Sequence, residues 1–309
     1  MLPSGAQHVL SDGRQEAVIC EVGATLRRYD VLGRPVCWGF GEHELSTGGR
    51  GQVLAPWPNR LEDGRYVFEG VEGHAPLDEP GRGNAIHGLV RWISWSLQQP
   101  AADRVHATCV INAQPAYPFS VGLSVDFRLE RSGLSMHVRA ENLGETLAPF
   151  GIGFHSYLHA GGGRIDDSRL RLPARRHVVL DERMLPRGEE PVAGGPLEAL
   201  CGDTPAPIGA RVLDDCFTGL DVDGDGRWRA RLVPGAGEED AVTLWADGRF
   251  GWAMVYTGDS LAPDDQRRAV AVEPMTCPPN ALRTGEGLAS LAPGEHLELA
   301  WGLSPDRLV

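Results

Sequence analysis

The run Val121-Gly-Leu-Ser-Val-Asp-Phe-Arg-Leu-Glu130-Arg-Ser-Gly-Leu-Ser-Met-His-Val-Arg-Ala140 decides the fold class. Val121, Leu123, Val125, Phe127 and Leu129 alternate with small or polar residues, Ser132-Gly133 supplies a turn, and Leu134, Met136, Val138 and Ala140 resume the alternation. A period of two sends every second side chain to the same face, so the segment reads as an antiparallel hairpin with one apolar face. Residues 66–73 read as a second hairpin. Residues 241–256 read as a third, because Asp247-Gly248 separates two apolar runs and Asp-Gly is a strong hairpin signal. Long helical periodicity is missing, and 40 glycines and 23 prolines punctuate the chain. The expectation is an all-β protein, a large antiparallel β-sandwich spanning 1–309 as one domain, with the Gly/Pro/Glu-rich stretch 186–209 as a surface excursion.

Composition narrows the function. The net charge of −13 argues against nucleic acid and acidic membrane surfaces as partners. All 29 basic residues are arginine, which excludes lysine Schiff-base chemistry and a Walker-type lysine. No apolar run approaches the roughly 20 residues that span a bilayer. The start of the chain carries neither a basic n-region nor an apolar h-region, so a cytoplasmic location is expected. None of the six cysteines forms a CxxC pair, and they are expected to be reduced and structural, with no zinc site.

Several residues stand out chemically. Glu273 follows the apolar run 269–272 and precedes Pro274, which is expected to end the strand. A carboxylate held there is either buried with a partner or serves as a general base. Asn59-Arg60 follows Pro56-Trp57-Pro58 and offers a fork of donors for vicinal hydroxyls or a carboxylate, or else braces a loop. His87-Gly88 sits in a Gly-rich loop, where the histidine either bonds to backbone or transfers protons near neutral pH. His155, Tyr157 and His159 would share one face of a strand. Asp214-Asp215-Cys216-Phe217 reads as an acidic turn before an aromatic. The series Asp221, Asp223, Asp225 imitates the start of a calcium loop, but its twelfth position is Leu232, so the calcium reading is rejected. Trp57, Trp92 and Trp95 are either core residues or platforms for a sugar face.

Taken in order, Asn59-Arg60, His87-Gly88, His155-Ser-Tyr157, Asp214-x-x-Phe217 and Glu273-Pro-Met resemble the motifs of the aldose 1-epimerase (galactose mutarotase) family, specifically its bacterial aldose-1-epimerase-like branch. The resemblance implies a galactose mutarotase-like supersandwich with the sugar in an open cleft, and interconversion of α and β anomers without a cofactor or metal. It implies Glu273 as the general base on the C1 hydroxyl and His155 as the general acid on the ring oxygen. Arg60, His87 and Asp214 would hold hydroxyls, and Asn59 would support Arg60. The partner is a small sugar, and the protein is expected to be a monomer or homodimer. Leu89, Met254 and the Pro-Met after Glu273 depart from galactose-specific members, in which a glutamine tends to stand at the place of Met254. Arg82 and Arg91 could meet an anionic group at C6, such as a sulfonate or phosphate. The other readings are a non-catalytic carbohydrate-binding protein and a glycoside hydrolase; for the latter only Glu273 is well placed, with Asp214 a poor second carboxylate.

Overall fold

The computed structural model describes residues 1–159 and 161–308. Val121–Glu130 pairs with Gly133–Asn142 in unbroken register, from Val121 opposite Asn142 to Glu130 opposite Gly133. This hairpin forms the third and fourth strands of a nine-stranded antiparallel sheet that runs from the edge strand Ser96–Ala101 through His296–Pro305 and Val242–Asp247 to the short edge strand Ala206–Pro207. Its alternating apolar residues are buried, Val121, Val125 and Met136 completely. The hairpin Arg65–Phe68 with Val71–His74 also forms as the sequence indicates.

A second sheet of eight strands holds Pro186–Pro191, Ala174–Leu180, Asp214–Leu220, Trp252–Tyr256, Ala269–Met275, Gly153–Phe154 and Val53–Leu54 in that order, with Ser156–His159 also pairing Ala269–Met275. Alternation along these strands divides the sheet into two faces. Phe154, Leu158, Phe217, Ala253, Val255, Val270 and Val272 point into the main core, where Phe154 meets Trp301 of the nine-stranded sheet at 5.0 Å between centroids. Each large apolar side chain buried between the layers contributes about 1.5–3 kcal/mol. The other face carries two small apolar clusters, Val178-Cys216-Met254-Met275 and Tyr157-Ala269-Ala271. Glu273 sits on that face between them. A four-stranded sheet, from Gln7–Ser11 to Arg34–Pro35, completes the larger elements. The only α-helix among the described residues is Ala281–Thr284, and no helix there is long and apolar enough to cross a membrane.

Four local expectations are corrected. Residues 241–256 do not form a hairpin: Val242–Asp247 belongs to the nine-stranded sheet and Trp252–Tyr256 to the eight-stranded one. The Asp247-Gly248 turn instead carries the chain between layers, where Phe250 is fully buried and its carbonyl accepts the indole N–H of Trp228 at 2.8 Å. Pro274 does not end its strand, because Ala269–Met275 continues past it with Pro274 opposite Ala253. The other flank at that point is only the two-residue strand Gly153–Phe154, so the missing N–H forfeits little pairing. Asp214 does not lie in a turn but begins the strand Asp214–Leu220. Within 186–209, Pro186–Pro191 is an edge strand with prolines at both ends, the position in a sheet that tolerates them.

Candidate active site

The strand Ala269–Met275 and the two short strands that pair it, Gly153–Phe154 and Ser156–His159, bring the central pair together, with His155 at the junction of the short strands. Ser156 lies opposite Val272 and Gly153 opposite Met275, a continuous register that sets His155 across from Glu273 on the face turned away from the main core. Residues opposite one another in antiparallel strands have neighbouring side chains. His155 Nε2 stands 3.2 Å from Glu273 Oε1, with the side chains 7% and 2% exposed. One strand over, Tyr256 lies opposite Ala271, and Asp214 lies opposite Tyr256. The same pleat therefore turns Asp214 and Tyr256 toward the cleft.

Loops from the other side of the cleft supply the remaining groups. Arg60 opens the short strand Arg60–Glu62, which pairs Asn84–Ile86. This pairing brings Asn59-Arg60 beside His87. The Asn59 N–H donates to His87 Nδ1 at 3.2 Å, and the His87 N–H donates to the Asn59 carbonyl at 2.9 Å. A neutral His87 therefore carries its proton on Nε2 and has that N–H to offer a ligand. Gly88 is required next to it. With φ +71°, a Cβ at this position would lie 2.0 Å from the Ala55 carbonyl oxygen.

Asn59, Arg60, His87, His155, Asp214 and Glu273, all singled out from the sequence, line one cavity of about 290 Å³. That is near the lower end of the roughly 300–1,000 Å³ typical of small-molecule sites. Arg82 and Arg91 line it too. Trp57 and Trp95 are buried core residues, and the exposed Trp92 packs against Arg91, so none of the three is a platform in this cavity. His159 lies outside the cavity and accepts the Gly161 N–H. Met254 is buried opposite Glu273 in the Val178-Cys216-Met275 cluster and does not line the cavity.

Glu79 was not anticipated from the sequence, yet it organises the guanidinium groups. Its carboxylate accepts Arg60 Nε at 3.0 and 3.1 Å and Arg60 Nη2 at 3.0 Å. It also accepts Arg82 Nη1 at 2.9 Å and Asn84 Nδ2 at 3.0 Å. Arg60 Nη2 stands 3.7 Å from Asp214, and Nη1 is 3.5 Å from Asn59 Oδ1. Burial works against the charged form of Glu79, but the hydrogen bonds and charge of Arg60, with Asn84 and Arg82, outweigh it and hold the carboxyl below its ordinary value. Asp78 similarly pairs with Arg91. The one local signal for Glu79 was its place before Pro80 in the Gly-rich loop; reciprocal backbone hydrogen bonds between Glu79 and Asn84 close that loop.

Burial sets the protonation of the central pair. It pushes Glu273 well above the ordinary carboxylate value; the nearby Asp214 charge adds to this and Arg60 opposes it. It pushes His155 down to about 3, helped by the charge of Arg91. His87 is also driven well below its ordinary value, by burial and then by His155 and the arginines. Desolvation therefore disfavours the charged forms of both Glu273 and His155 and favours the neutral pair. Among the described residues no group of three or more His, Cys, Asp or Glu side chains is placed to hold a metal ion. What the geometry provides is an acid–base pair at the floor of a cavity rich in hydroxyl-binding groups.

The sequence matches the aldose 1-epimerase family over residues 7–303. It is 32% identical to the uncharacterized protein YihR of Escherichia coli K12 over 98% of this chain and 94% of that protein. It is 27% identical to galactose mutarotase of Rattus norvegicus, over 51% of this chain and 46% of the rat protein. The fold resembles a galactose mutarotase-like protein from Clostridium acetobutylicum, with a TM-score of 0.82 at 18% identity, covering 96% and 93% of the two chains. A putative aldose 1-epimerase from Escherichia coli K12 gives 0.80 at 18% identity, covering 97% and 99%.

Proposed function

The chain belongs to the aldose 1-epimerase family, and from that premise we propose that it is a mutarotase, opening an aldopyranose ring at C1 and reclosing it on the other carbonyl face. The observation that carries this reading is the buried 3.2 Å contact between His155 Nε2 and Glu273 Oε1 at the floor of a polar cavity. In the ring-bound state Glu273 is the carboxylate and His155 the imidazolium. Glu273 takes the C1 hydroxyl proton, the O–H electron pair becomes the C1=O π bond, and the C1–O5 bond breaks. The ring oxygen keeps that pair and accepts the proton of His155. Rotation about C1–C2 presents the other carbonyl face. Then His155 removes the O5 proton, O5 attacks C1, and Glu273 returns its proton to O1.

One proton is shared by the pair throughout. The neutral arrangement that burial favours is the same one that faces the open-chain aldehyde. Arg60, the Nε2–H of His87 and Asp214 bind hydroxyls of the sugar, and Asn59 braces Arg60. A positioned acid and base each contribute about 10²–10⁴-fold, sufficient for a reaction that already runs slowly in water.

Arg82 and Arg91 on the cavity wall support a second reading, an aldose with an anionic C6 group. Each arginine is already met by a carboxylate of the same wall, Arg82 by Glu79 and Arg91 by Asp78, so the charge balance favours a neutral sugar. Met254, buried opposite Glu273, puts no amide beside that carboxyl, which weighs against galactose. Anomer exchange measured by NMR on neutral aldoses, a 6-phospho sugar and a 6-sulfo sugar tests the proposal. Acceleration of at least one sugar is expected. Sugar binding by calorimetry with no acceleration of any would instead support a non-catalytic carbohydrate-binding protein.

The same assay reads the role of Glu79. Glu79→Gln keeps the shape but removes the charge that holds Arg60, and a charge-assisted pair is worth more than a neutral one. KM is expected to rise about tenfold, with kcat changed by less than about threefold. An unchanged KM would show that Arg60 needs no anionic support.

A further inference from the structure

His155 is held by packing. Its Nδ1 is buried and meets no hydrogen-bond partner on any other described residue, only the approach of its own backbone, so no neighbouring carbonyl or carboxylate fixes the plane of the ring from behind, as second-shell acceptors commonly do for functional histidines. Beside the edge-on His87 ring, 5.4 Å away between centroids, two features constrain it. Tyr157 stacks on the imidazole with centroids 4.9 Å apart and planes 19° from parallel. The backbone at Gly49 lies so close that a Cβ there would sit 2.3 Å from His155 Cδ2 and 2.8 Å from Nε2.

These two features are tied to one another. The Tyr157 hydroxyl donates to the Gly48 carbonyl at 2.9 Å, so the residue beside Gly49 anchors the stacking ring. Trp38 packs edge-on against Tyr157 at 5.4 Å, and the Arg50 guanidinium lies 4.4 Å over Trp38. Arg50 Nε also donates to the Thr47 carbonyl at 3.1 Å, closing the glycine turn from its far side. A continuous series of contacts, Arg50-Trp38-Tyr157-His155, thus ends on the acid of the proposed reaction.

The geometry points to a positioning clamp: Tyr157 and the Gly48-Gly49 turn together set the ring plane of His155, aiming Nε2 between Glu273 and the ring oxygen of the sugar. The inference rests on the mutarotase reading for its catalytic consequence, but not for its structural one. The rate of proton transfer depends steeply on donor placement, and the clamp acts first on placement, although its Gly48-Gly49 turn is also part of the cavity wall. It therefore bears first on kcat and leaves KM mainly to Arg60, His87 and Asp214.

Three variants test it, each read by anomer exchange, by ¹⁵N spectra of the His155 ring and by thermal unfolding. Gly49→Ala places a methyl against the imidazole at a residue with φ +76°. It is expected to lower kcat about 30-fold or more; because Gly49 also lines the cavity, the kcat-specific reading, with KM within about twofold, is taken from the Tyr157 variants, whose side chain lies outside it. Tyr157→Leu removes the stacking plate and is expected to act similarly. Tyr157→Phe keeps the plate and loses only the bond to Gly48, so it should cost about fivefold and guard against misfolding of the other two. In all three the His155 ring resonances should move. Folded variants with unmoved resonances, or with kcat within about twofold of the parent protein for Gly49→Ala and Tyr157→Leu, would overturn the clamp. If the parent protein accelerates exchange of no aldose, the mutarotase reading falls, and the clamp is judged by the His155 resonances alone.

Discussion

Glu273→Gln is expected to lower kcat by about 10³-fold, inside the roughly 10²–10⁴-fold range of a positioned proton-transfer group. Glutamine nearly matches the volume of glutamate and keeps an oxygen to face His155, but it cannot take the C1 hydroxyl proton. The fold should tolerate the change. Glu273 is 2% exposed in a strand buried along its whole length, and burial already disfavours its charge, so a neutral amide suits the site at least as well. KM should stay within about threefold, because Arg60, His87 and Asp214 bind the sugar independently of the base. NMR exchange at anomeric equilibrium, corrected for the uncatalysed rate, measures the effect. A variant retaining more than about a tenth of the parent kcat would mean that another group accepts the proton.

Glu273 was legible in the sequence because a carboxylate in the run Ala269-Val-Ala-Val272 contradicts its apolar neighbours, and only a partner or a function resolves such a contradiction. The long hairpin was legible because its alternation is local and nearly unbroken. Asp247-Gly248 misled because turn chemistry is the same for a hairpin and for a passage between sheets; what decides is where Phe250 finds its core, a non-local fact. Pro274 misled for a related reason, since the cost of its missing N–H depends on how long the neighbouring strand is. The individual motifs Asn59-Arg60, His87 and Asp214 became informative only together, through the family pattern that orders them. Glu79 carried only the weak local signal of its place before Pro80, and Gly49 carried none. One acts through Arg60 across a closed loop, and the other acts by lacking a side chain where His155 passes.

Removing the acid should change the shape of the pH profile as well as its height. In the parent protein a second proton on the pair must charge His155, which burial holds down to about 3, and loss of the last proton must ionise Glu273, which burial holds well above its ordinary value. Both steps are resisted, so the one-proton state spans neutral pH and kcat/KM should be flat there, with an acid limb far below the ordinary histidine range. His155→Ala leaves Glu273 to titrate alone. A carboxyl raised by burial gains its basic form as pH increases, so the residual kcat/KM should climb with pH through that raised value. The loss at neutral pH is expected to be about 10²-fold or more, because water must then supply the proton to the ring oxygen and the base is partly protonated. Profiles of kcat/KM taken from acid to mildly alkaline pH with the aqueous rate subtracted make the comparison. A flat profile in His155→Ala, with activity within about tenfold of the parent, would remove His155 from the proton path and leave Glu273 to work with a different acid.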